Sequence, residues 1–103
     1  MYDVSYLPAA LTDMVDIVRY VSTQLQNATA ADHLTEELVN AVERLREFPY
    51  SFPVYVPIRP LKKEYRKLPV QNYLIFYWVE EEKKLITIAR VICAKRNYAQ
   101  FLK

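Results

Sequence analysis

The sequence contains no glycine among its 103 residues. A phosphate-binding loop or a dinucleotide fingerprint needs glycine at fixed positions, so both kinds of nucleotide site are excluded. Glycine is also the usual residue where the backbone takes a positive φ. The sequence therefore predicts that Asn or Asp occupies such positions in this chain.

Cysteine and histidine are almost absent too, with only Cys93 and His33 present. A single thiol cannot form an internal disulfide, which suits a reducing compartment, and one His with one Cys does not make a zinc site. Cys93 is predicted to be a small core residue and His33 an exposed helix residue. The carboxylates of Glu80–Glu82 lie beside two lysines and are predicted to form a solvated turn. We expect no metal and no cofactor.

Long hydrophobic segments are lacking as well. The uncharged run of residues 68–79 is broken by Pro69 and two polar residues and is too short to cross a bilayer. The first residues, Met1-Tyr2-Asp3, do not resemble a secretory signal. The length fits a single domain, residues 1–103. These features predict a soluble, cytoplasmic protein without a membrane partner.

Charge divides the chain into two unlike parts. Residues 1–58 carry three Arg against eight Asp and Glu, a net charge of −5. Residues 59–103 carry eleven Lys and Arg against four Glu, a net charge of +7. Such asymmetry indicates a polyanionic or acidic partner for the basic half.

The periodicity of the apolar residues predicts two helices and four strands. Helical spacing runs over residues 9–25 and again from a cap at Asn27 or Thr29 to Phe48, where Pro49 ends the helix. A proline-rich surface loop follows, with four prolines in residues 49–60. Strands are predicted at Tyr2–Leu7, Glu64–Val70, Tyr73–Val79 and Leu85–Cys93. The fold class is α+β: a helical hairpin packed on a small, mainly antiparallel sheet, in the order β-α-α-β-β-β.

The basic residues come from the loop, two strands and the tail, and a small sheet can bring them together. Interleaved tyrosines would then give the combination of phosphate neutralisation and stacking that nucleic-acid contacts use. The alternative is a solvated edge that resists aggregation. Alternation along the last strand predicts that Arg90 shares a face with Ile86, Ile88 and Ile92, so that it either pairs with a helix carboxylate or faces the patch. The residues concerned are Arg59, Lys62, Lys63, Arg66, Lys67, Arg90, Lys95 and Arg96.

Short motifs in a fixed order resemble the RelE/ParE toxin superfamily of bacterial toxin–antitoxin modules. The resemblance covers nearly the whole chain and implies the α+β fold given above. It also implies a toxin of a type II toxin–antitoxin (plasmid stabilization) system. The motifs are Leu45-x-x-Phe48-Pro49, Arg66-Lys67-Leu68, Asn72-Tyr73-Leu74-Ile75-Phe76-Tyr77, Ile88-x-Arg90-Val91-Ile92 and Lys95-Arg96-Asn97-Tyr98.

Two activities are compatible with this resemblance. RelE-like members are metal-free ribonucleases that cut mRNA on the ribosome. The resemblance matches Lys67 and Arg96 to catalytic positions of these members, with Arg66 as a further source of charge and Tyr98 as a substitute for a tyrosine. A basic residue of that set falls on Leu74, which leaves the set incomplete. ParE-like members lack the set and inhibit DNA gyrase by binding. The leading hypothesis is therefore a ParE-like toxin that is not an enzyme, and the alternative is a RelE-like endoribonuclease.

Both activities imply a cognate antitoxin, which we expect to be acidic and partly disordered and to wrap the hairpin and the sheet. The predicted target contacts are Arg59, Lys62, Lys63, Arg90 and Lys95, for DNA gyrase or the ribosome with its mRNA. Core packing is the alternative explanation for two of the apolar residues, Trp78 and Phe76. The predicted antitoxin contacts are Trp78, Phe76, Tyr50 and Tyr55.

Overall fold

The computed structural model describes residues 1–57 and 59–102. Ile58 in the proline-rich loop and Lys103 at the end of the predicted basic tail lie outside the described residues. The predicted order of elements is confirmed. The elements are β1 (Asp3–Tyr6), α1 (Pro8–Arg19), a π-helical turn (Tyr20–Gln24), α2 (Ala28–Leu45), β2 (Arg66–Val70), β3 (Tyr73–Glu80), β4 (Leu85–Cys93) and a 3₁₀ turn (Tyr98–Phe101).

The four strands form one mixed sheet in the order β1-β4-β3-β2. Strand β1 pairs in parallel with β4, from Asp3 opposite Leu85 to Tyr6 opposite Ile88. The other two pairs are antiparallel hairpins. The chain must pass from β1 through both helices before it returns to the sheet, so the helical hairpin lies on one face of it.

Proline and capping residues set the ends of the two helices. Pro8 takes the first turn of α1, where no amide donor is needed. Asn27 caps α2 as predicted, because its Oδ1 accepts a hydrogen bond from the amide of Ala30 at 3.0 Å. The predicted extension of the apolar stripe to Phe48 is wrong: α2 ends at Leu45 and Phe48 is 63% exposed. The helix stops early because Pro49 disfavours helical backbone in the residue before it.

The predicted use of Asn or Asp at positive φ is also wrong. The three such residues among those described are Gln26, Gln71 and Lys84, at φ values of 49°, 52° and 49°. Each lies in the short connection between two elements, so tertiary structure imposes the left-handed backbone. The left-handed conformation costs a residue with a Cβ about 1 kcal/mol.

Both faces of the central strand β3 are buried, as the sequence predicts. Ile75 and Tyr77 point towards the helices and join a mainly aliphatic cluster, which we call the helix-side core. Leu74 and Phe76 point the other way and join a second cluster around Tyr65, which we call the aromatic layer. The helix-side core contains Leu34, Leu38, Val42 and Leu45 of α2 together with Ile86 and Ile88 of β4.

A β-bulge in β4 changes the predicted position of Arg90. The pairing shifts between Phe76 and Tyr77, so that Phe76 lies opposite Arg90 while Tyr77 lies opposite Ile88. The extra residue is Ala89, and it moves Arg90 onto the face of Phe76. The prediction that Arg90 shares a face with Ile86, Ile88 and Ile92 is therefore wrong for Ile86 and Ile88, because a period of two fails at a bulge. Ile92 does lie on the face of Arg90.

The proline-rich loop runs along the outer edge of β2. A bridge joins Val54 to Arg66, and the amide of Tyr55 donates to the carbonyl of Tyr65 at 2.8 Å. The amide of Lys67 donates to the carbonyl of Pro53 at 3.2 Å. The loop therefore protects the first residues of an edge strand and is fixed to the sheet by backbone hydrogen bonds.

Candidate functional site

Cations and aromatic rings alternate along β2 and the proline-rich loop. The ammonium of Lys63 lies 5.2 Å from the ring centre of Trp78. The ammonium of Lys67 lies 5.8 Å from the ring of Tyr55 and 5.9 Å from that of Tyr98. Each such contact supplies about 0.5–1 kcal/mol at an exposed site and directs the cation along the surface.

Arg66 makes the fourth contact of this kind, 5.0 Å from the ring of Tyr50, and its guanidinium also donates to the carbonyl of Phe52 at 2.7 Å. Residues predicted separately for target and antitoxin binding are thus interleaved on one surface. We call it the basic-aromatic surface: Tyr50, Tyr55, Arg59, Lys62, Lys63, Arg66, Lys67, Trp78 and Tyr98.

Two adjoining depressions shape this surface. The larger is a groove of about 740 Å³ between the proline-rich loop and the 3₁₀ turn, with Tyr55, Arg59 and Lys62 in its lining. The smaller, of about 190 Å³, lies where β3 extends past the beginning of β2, and Lys63 and Trp78 line it. Lys62 lines both depressions, so the two are neighbours on the surface.

The aromatic layer supports the surface from beneath. Phe76 is 0% exposed, with the rings of Tyr98 and Tyr55 at 5.3 Å and 5.7 Å from its own. Trp78 is half-buried, with its ring centre 5.7 Å from that of Tyr65. Phe76 thus forms the floor beneath the surface, while Tyr50, Tyr55 and Trp78 have exposed parts.

Arg90 forms an ion pair with α1. Its Nε and one terminal nitrogen donate to the two carboxylate oxygens of Asp13 at 2.7 Å and 2.9 Å. The same carboxylate accepts the amide of Val91 at 2.9 Å, at a point where β4 extends beyond β1. The hydrogen bonds that Arg90 donates to Asp13 raise the pKa of Arg90 above its usual value. Arg90 therefore joins a helix to the sheet, one of the two roles that the sequence left open.

The four predicted catalytic residues are divided among three places. Lys67 and Tyr98 lie together above Phe76. Arg66 lies opposite Tyr77 in the strand pairing, and its guanidinium lies at the strand edge, where it contacts Tyr50 and lines the smaller depression. Arg96 lies 4.6 Å from the ring of Phe101, at the other end of the 3₁₀ turn. Of the remaining predicted patch, Lys95 is exposed and lines neither depression.

Glu81 makes a structural contact beside the basic-aromatic surface that the sequence did not indicate. Its Oε1 accepts hydrogen bonds from the hydroxyls of Tyr2 and Tyr50, both at 2.6 Å, and Lys84 pairs with Oε2. The bonds from Lys84 and the tyrosines lower the pKa of Glu81 to about 2. The bond to Glu81 raises the pKa of Tyr50 to about 12. A turn predicted to be merely solvated thus ties the proline-rich loop to the sheet.

No sequence signal could have revealed this contact, because Glu81 lies 79 residues from Tyr2 and 31 from Tyr50. Within residues 1–57 and 59–102, no group of three or more His, Cys, Asp or Glu side chains could hold a metal ion. Over the same residues, no helix is long and apolar enough to cross a membrane.

The fold is that of toxins from known toxin–antitoxin complexes. It is similar to a chain of the chromosomal ParDE system from P. aeruginosa, with a TM-score of 0.73, 18% identity, and coverage of 92% of this chain and 98% of that one. It is also similar to a chain of the intact E. coli RelBE complex, with a TM-score of 0.57, 19% identity, and coverage of 93% and 100%. An archaeal RelE–RelB complex from Pyrococcus horikoshii OT3 gives a TM-score of 0.61 at 14% identity, with coverage of 92% and 97%. No curated protein matches the chain.

The particular family follows from the sequence itself. The family model described as ParE toxin of type II toxin-antitoxin system, parDE, matches residues 4–98, and the chain belongs to that family. It is thus the toxin component of a type II toxin–antitoxin system, and a cognate antitoxin is its partner. The resemblance found in the motifs is confirmed.

Proposed function

We propose that this toxin acts in the cytoplasm by binding and inhibiting DNA gyrase, without catalysing a reaction, and that the basic-aromatic surface makes the contact. The observation that carries the proposal is the separation of Arg66, Lys67 and Arg96. Cleavage of RNA without a metal needs an acid, a base and positive charge around one phosphate. The guanidinium of Arg66 is directed to Tyr50 and the carbonyl of Phe52, that of Arg96 to Phe101, and the ammonium of Lys67 to Tyr55 and Tyr98. The three groups share no contact partner, which argues against their converging on one phosphate.

The same surface is well suited to inhibition by binding. Arg59, Lys62 and Lys63 are exposed and form no ion pair with any described side chain. Unpaired cations at the rim of a depression favour fast association with an acidic surface. Half-buried rings such as Trp78 provide apolar contact area, which interfaces use for most of their affinity. Arg90 and Lys95 lie apart from the depressions and add charge to the same half of the chain.

A supercoiling assay tests this proposal. The toxin is separated from its co-expressed antitoxin, refolded and added in increasing amounts to bacterial gyrase and relaxed plasmid. We expect loss of supercoiling, and we expect the Lys63→Ala/Lys67→Ala variant to need about tenfold more toxin, since both cations lie on the surface. Lys83→Ala, in the turn between β3 and β4, is the control and should behave like the wild type. Unimpaired supercoiling at excess toxin would refute the proposal.

The endoribonuclease alternative retains one supporting observation, which is the contact between Lys67 and Tyr98 at 5.9 Å. Primer extension on translated mRNA after induction of the toxin distinguishes the two functions. Cuts that appear with the wild type and disappear with Tyr98→Phe would establish the ribonuclease in place of the gyrase inhibitor.

A further inference from the structure

Four cations of the basic-aromatic surface lack an acidic partner. None of them forms an ion pair with a carboxylate of the described residues: Arg59, Lys62, Lys63 and Lys67. Lys62 lines the large groove together with Arg59, and it lines the smaller depression together with Lys63. Lys67 lies over the ring of Tyr55, which also lines the groove. One stretch of surface therefore carries four uncompensated positive charges.

The acidic groups of the chain leave these cations free for a polyanion. Glu64 and Glu80 line the smaller depression, whereas the groove has no carboxylate among its described lining residues. Glu80 pairs with Lys83 at 3.4 Å, and Glu64 lies 4.0 Å from the guanidinium of Arg66. Residues 1–58, which include both helices, carry a net charge of −5. A polyanion is therefore repelled by the helices and attracted to the basic-aromatic surface.

The aromatic rings of this surface position the cations and are not open to bases. The ring of Tyr55 contacts that of Tyr98, and the ammonium of Lys67 lies within 6 Å of both, at 5.8 Å and 5.9 Å. The ring of Trp78 lies 5.2 Å from the ammonium of Lys63. Single-stranded nucleic acids stack their bases on open aromatic faces. Duplex DNA keeps its bases stacked inside and presents phosphates, so it needs placed cations and no open ring.

Three of the four unpaired cations are lysines. An ammonium acts as a point charge, whereas the guanidinium of Arg imposes a fixed fork geometry on the carboxylate or base that it recognises. Lysine contacts therefore respond to the number of negative charges and not to the identity of one group. A regular row of phosphates satisfies this chemistry better than scattered carboxylates of a folded protein do.

We infer that the basic-aromatic surface binds the phosphate backbone of duplex DNA and does not read its sequence. The inference rests on the proposed function, because gyrase acts on duplex DNA and its complex presents phosphates beside the enzyme. The toxin contacts the enzyme and the bound DNA together. The phosphates add affinity for the gyrase–DNA complex that gyrase alone does not provide. The cations that make the contact are Arg59, Lys62, Lys63 and Lys67.

The first experiment measures binding of refolded toxin to two short fluorescent DNA duplexes of unrelated sequence, by anisotropy over a range of salt concentrations. Each surface variant removes two of the four charges, and the variants are Arg59→Gln/Lys62→Gln and Lys63→Gln/Lys67→Gln. The matched control is Arg19→Gln/Arg44→Gln, which removes two exposed arginines of the helices that line neither depression. Circular dichroism and thermal melting establish that each variant is folded.

We expect the wild type to bind both duplexes equally. The logarithm of its association constant should fall with the logarithm of the salt concentration at a slope of about −3.5, since each phosphate contact contributes about −0.9. Each surface variant should reduce the steepness of this slope by about 2, while the control keeps the wild-type slope. The wild-type slope in both surface variants, or an equal change in the control, would overturn the inference. Tighter binding of single-stranded than of duplex DNA would also overturn it, by assigning the rings to base stacking.

A second experiment separates this inference from the proposed function. The affinity of labelled toxin for gyrase is measured with and without bound duplex, and we expect DNA to tighten wild-type binding about tenfold and to have little effect on either surface variant. If the toxin binds duplexes as expected but does not inhibit gyrase, the contact with DNA stands and the proposed target is wrong. If the toxin inhibits gyrase but binds it equally with and without DNA, the surface contacts an acidic region of the enzyme and the inference is refuted.

Discussion

The two faces of the sheet are covered in different ways. On one face, α1 and α2 close an aliphatic core in which Leu38, Ile75 and Ile88 have essentially no exposed surface. On the other face, the described segments that cover the aromatic layer are the proline-rich loop and a four-residue 3₁₀ turn with Leu102 after it. Regular helices bury apolar area thoroughly, whereas irregular segments leave depressions with cations at their edges. We therefore expect stability to depend mainly on the first face, and we propose the second face for partner binding.

Truncating a side chain of the helix-side core is expected to reduce stability more than any other substitution considered. Leu38 is 0% exposed, so Leu38→Ala should reduce the free energy of unfolding by about 3–4 kcal/mol through lost burial and a residual cavity. Urea denaturation followed by circular dichroism measures it. Val39→Ala, on the same helix but 42% exposed, should change stability by less than about 0.5 kcal/mol. Equal losses in both would show that the helix-side core is not closed.

The second largest loss of stability is expected from breaking the ion pair that joins α1 to β4. Asp13→Ala leaves the guanidinium of Arg90 and the amide of Val91 without their acceptor, and we expect a loss of about 3 kcal/mol. That is the lower end of the range for buried pairs, because both side chains keep some contact with solvent. Asp16→Ala, an exposed residue of the same helix, is the control.

A second substitution sharpens this test. If Arg90 has a structural role, Asp13→Ala/Arg90→Met should recover much of the lost stability, because it removes the unpaired charge as well. Continued instability of the double variant would show that the carboxylate acts mainly through Val91.

The hydroxyl of Tyr77 gives a smaller effect. It donates to the carbonyl of Pro49 at 2.8 Å inside the helix-side core, and burial raises its pKa to about 12. Tyr77→Phe should cost about 1–3 kcal/mol, since a buried carbonyl loses its donor. Tyr73→Phe is the matched control in the same strand. An unchanged unfolding midpoint for Tyr77→Phe would mean that water replaces the bond.

The smallest effect concerns the exposed contact of Tyr50 with Glu81, on the side of the loop. The folded pKa of Glu81, about 2, lies below its ordinary value of 4.5, so its contribution is present above pH 4.5 and is lost as the pH falls towards 2. The folded pKa of Tyr50, about 12, lies above 10.0, so its contribution is present below pH 10 and is lost as the pH rises towards 12.

In Glu81→Gln the free energy of unfolding should therefore depend less on pH, both in the acidic range and in the alkaline range. The pKa of Tyr50 should return towards its ordinary value. Ultraviolet absorbance of tyrosinate during an alkaline titration measures the second effect. A wild-type titration curve in Glu81→Gln would contradict the hydrogen bond. Glu82→Gln in the same turn is the control.

Much of the difference between the two faces of the sheet could be predicted from the sequence. The alternation of Ile75 and Tyr77 with Phe76 and Trp78 predicted a strand buried on both faces, because strand side chains alternate with a period of two. Asn27 and Thr29 were the two predicted caps for the start of α2, of which the structure uses Asn27, and four prolines predicted the irregular loop. The ordered motifs gave the superfamily. These signals are local, and each acts over a few residues.

Tertiary structure alone decided the rest. The bulge at Ala89 placed Arg90 beside Asp13, the outer edge of β2 set Tyr55 next to Lys67, and the turn after β3 brought Glu81 to Tyr50. Each contact joins residues more than ten positions apart, so no pattern along the chain specifies it. The sequence determined which residues are apolar, cationic or rigid, whereas the fold decided which of them meet, because pairing register and chain reversal act over distances that local propensity does not encode.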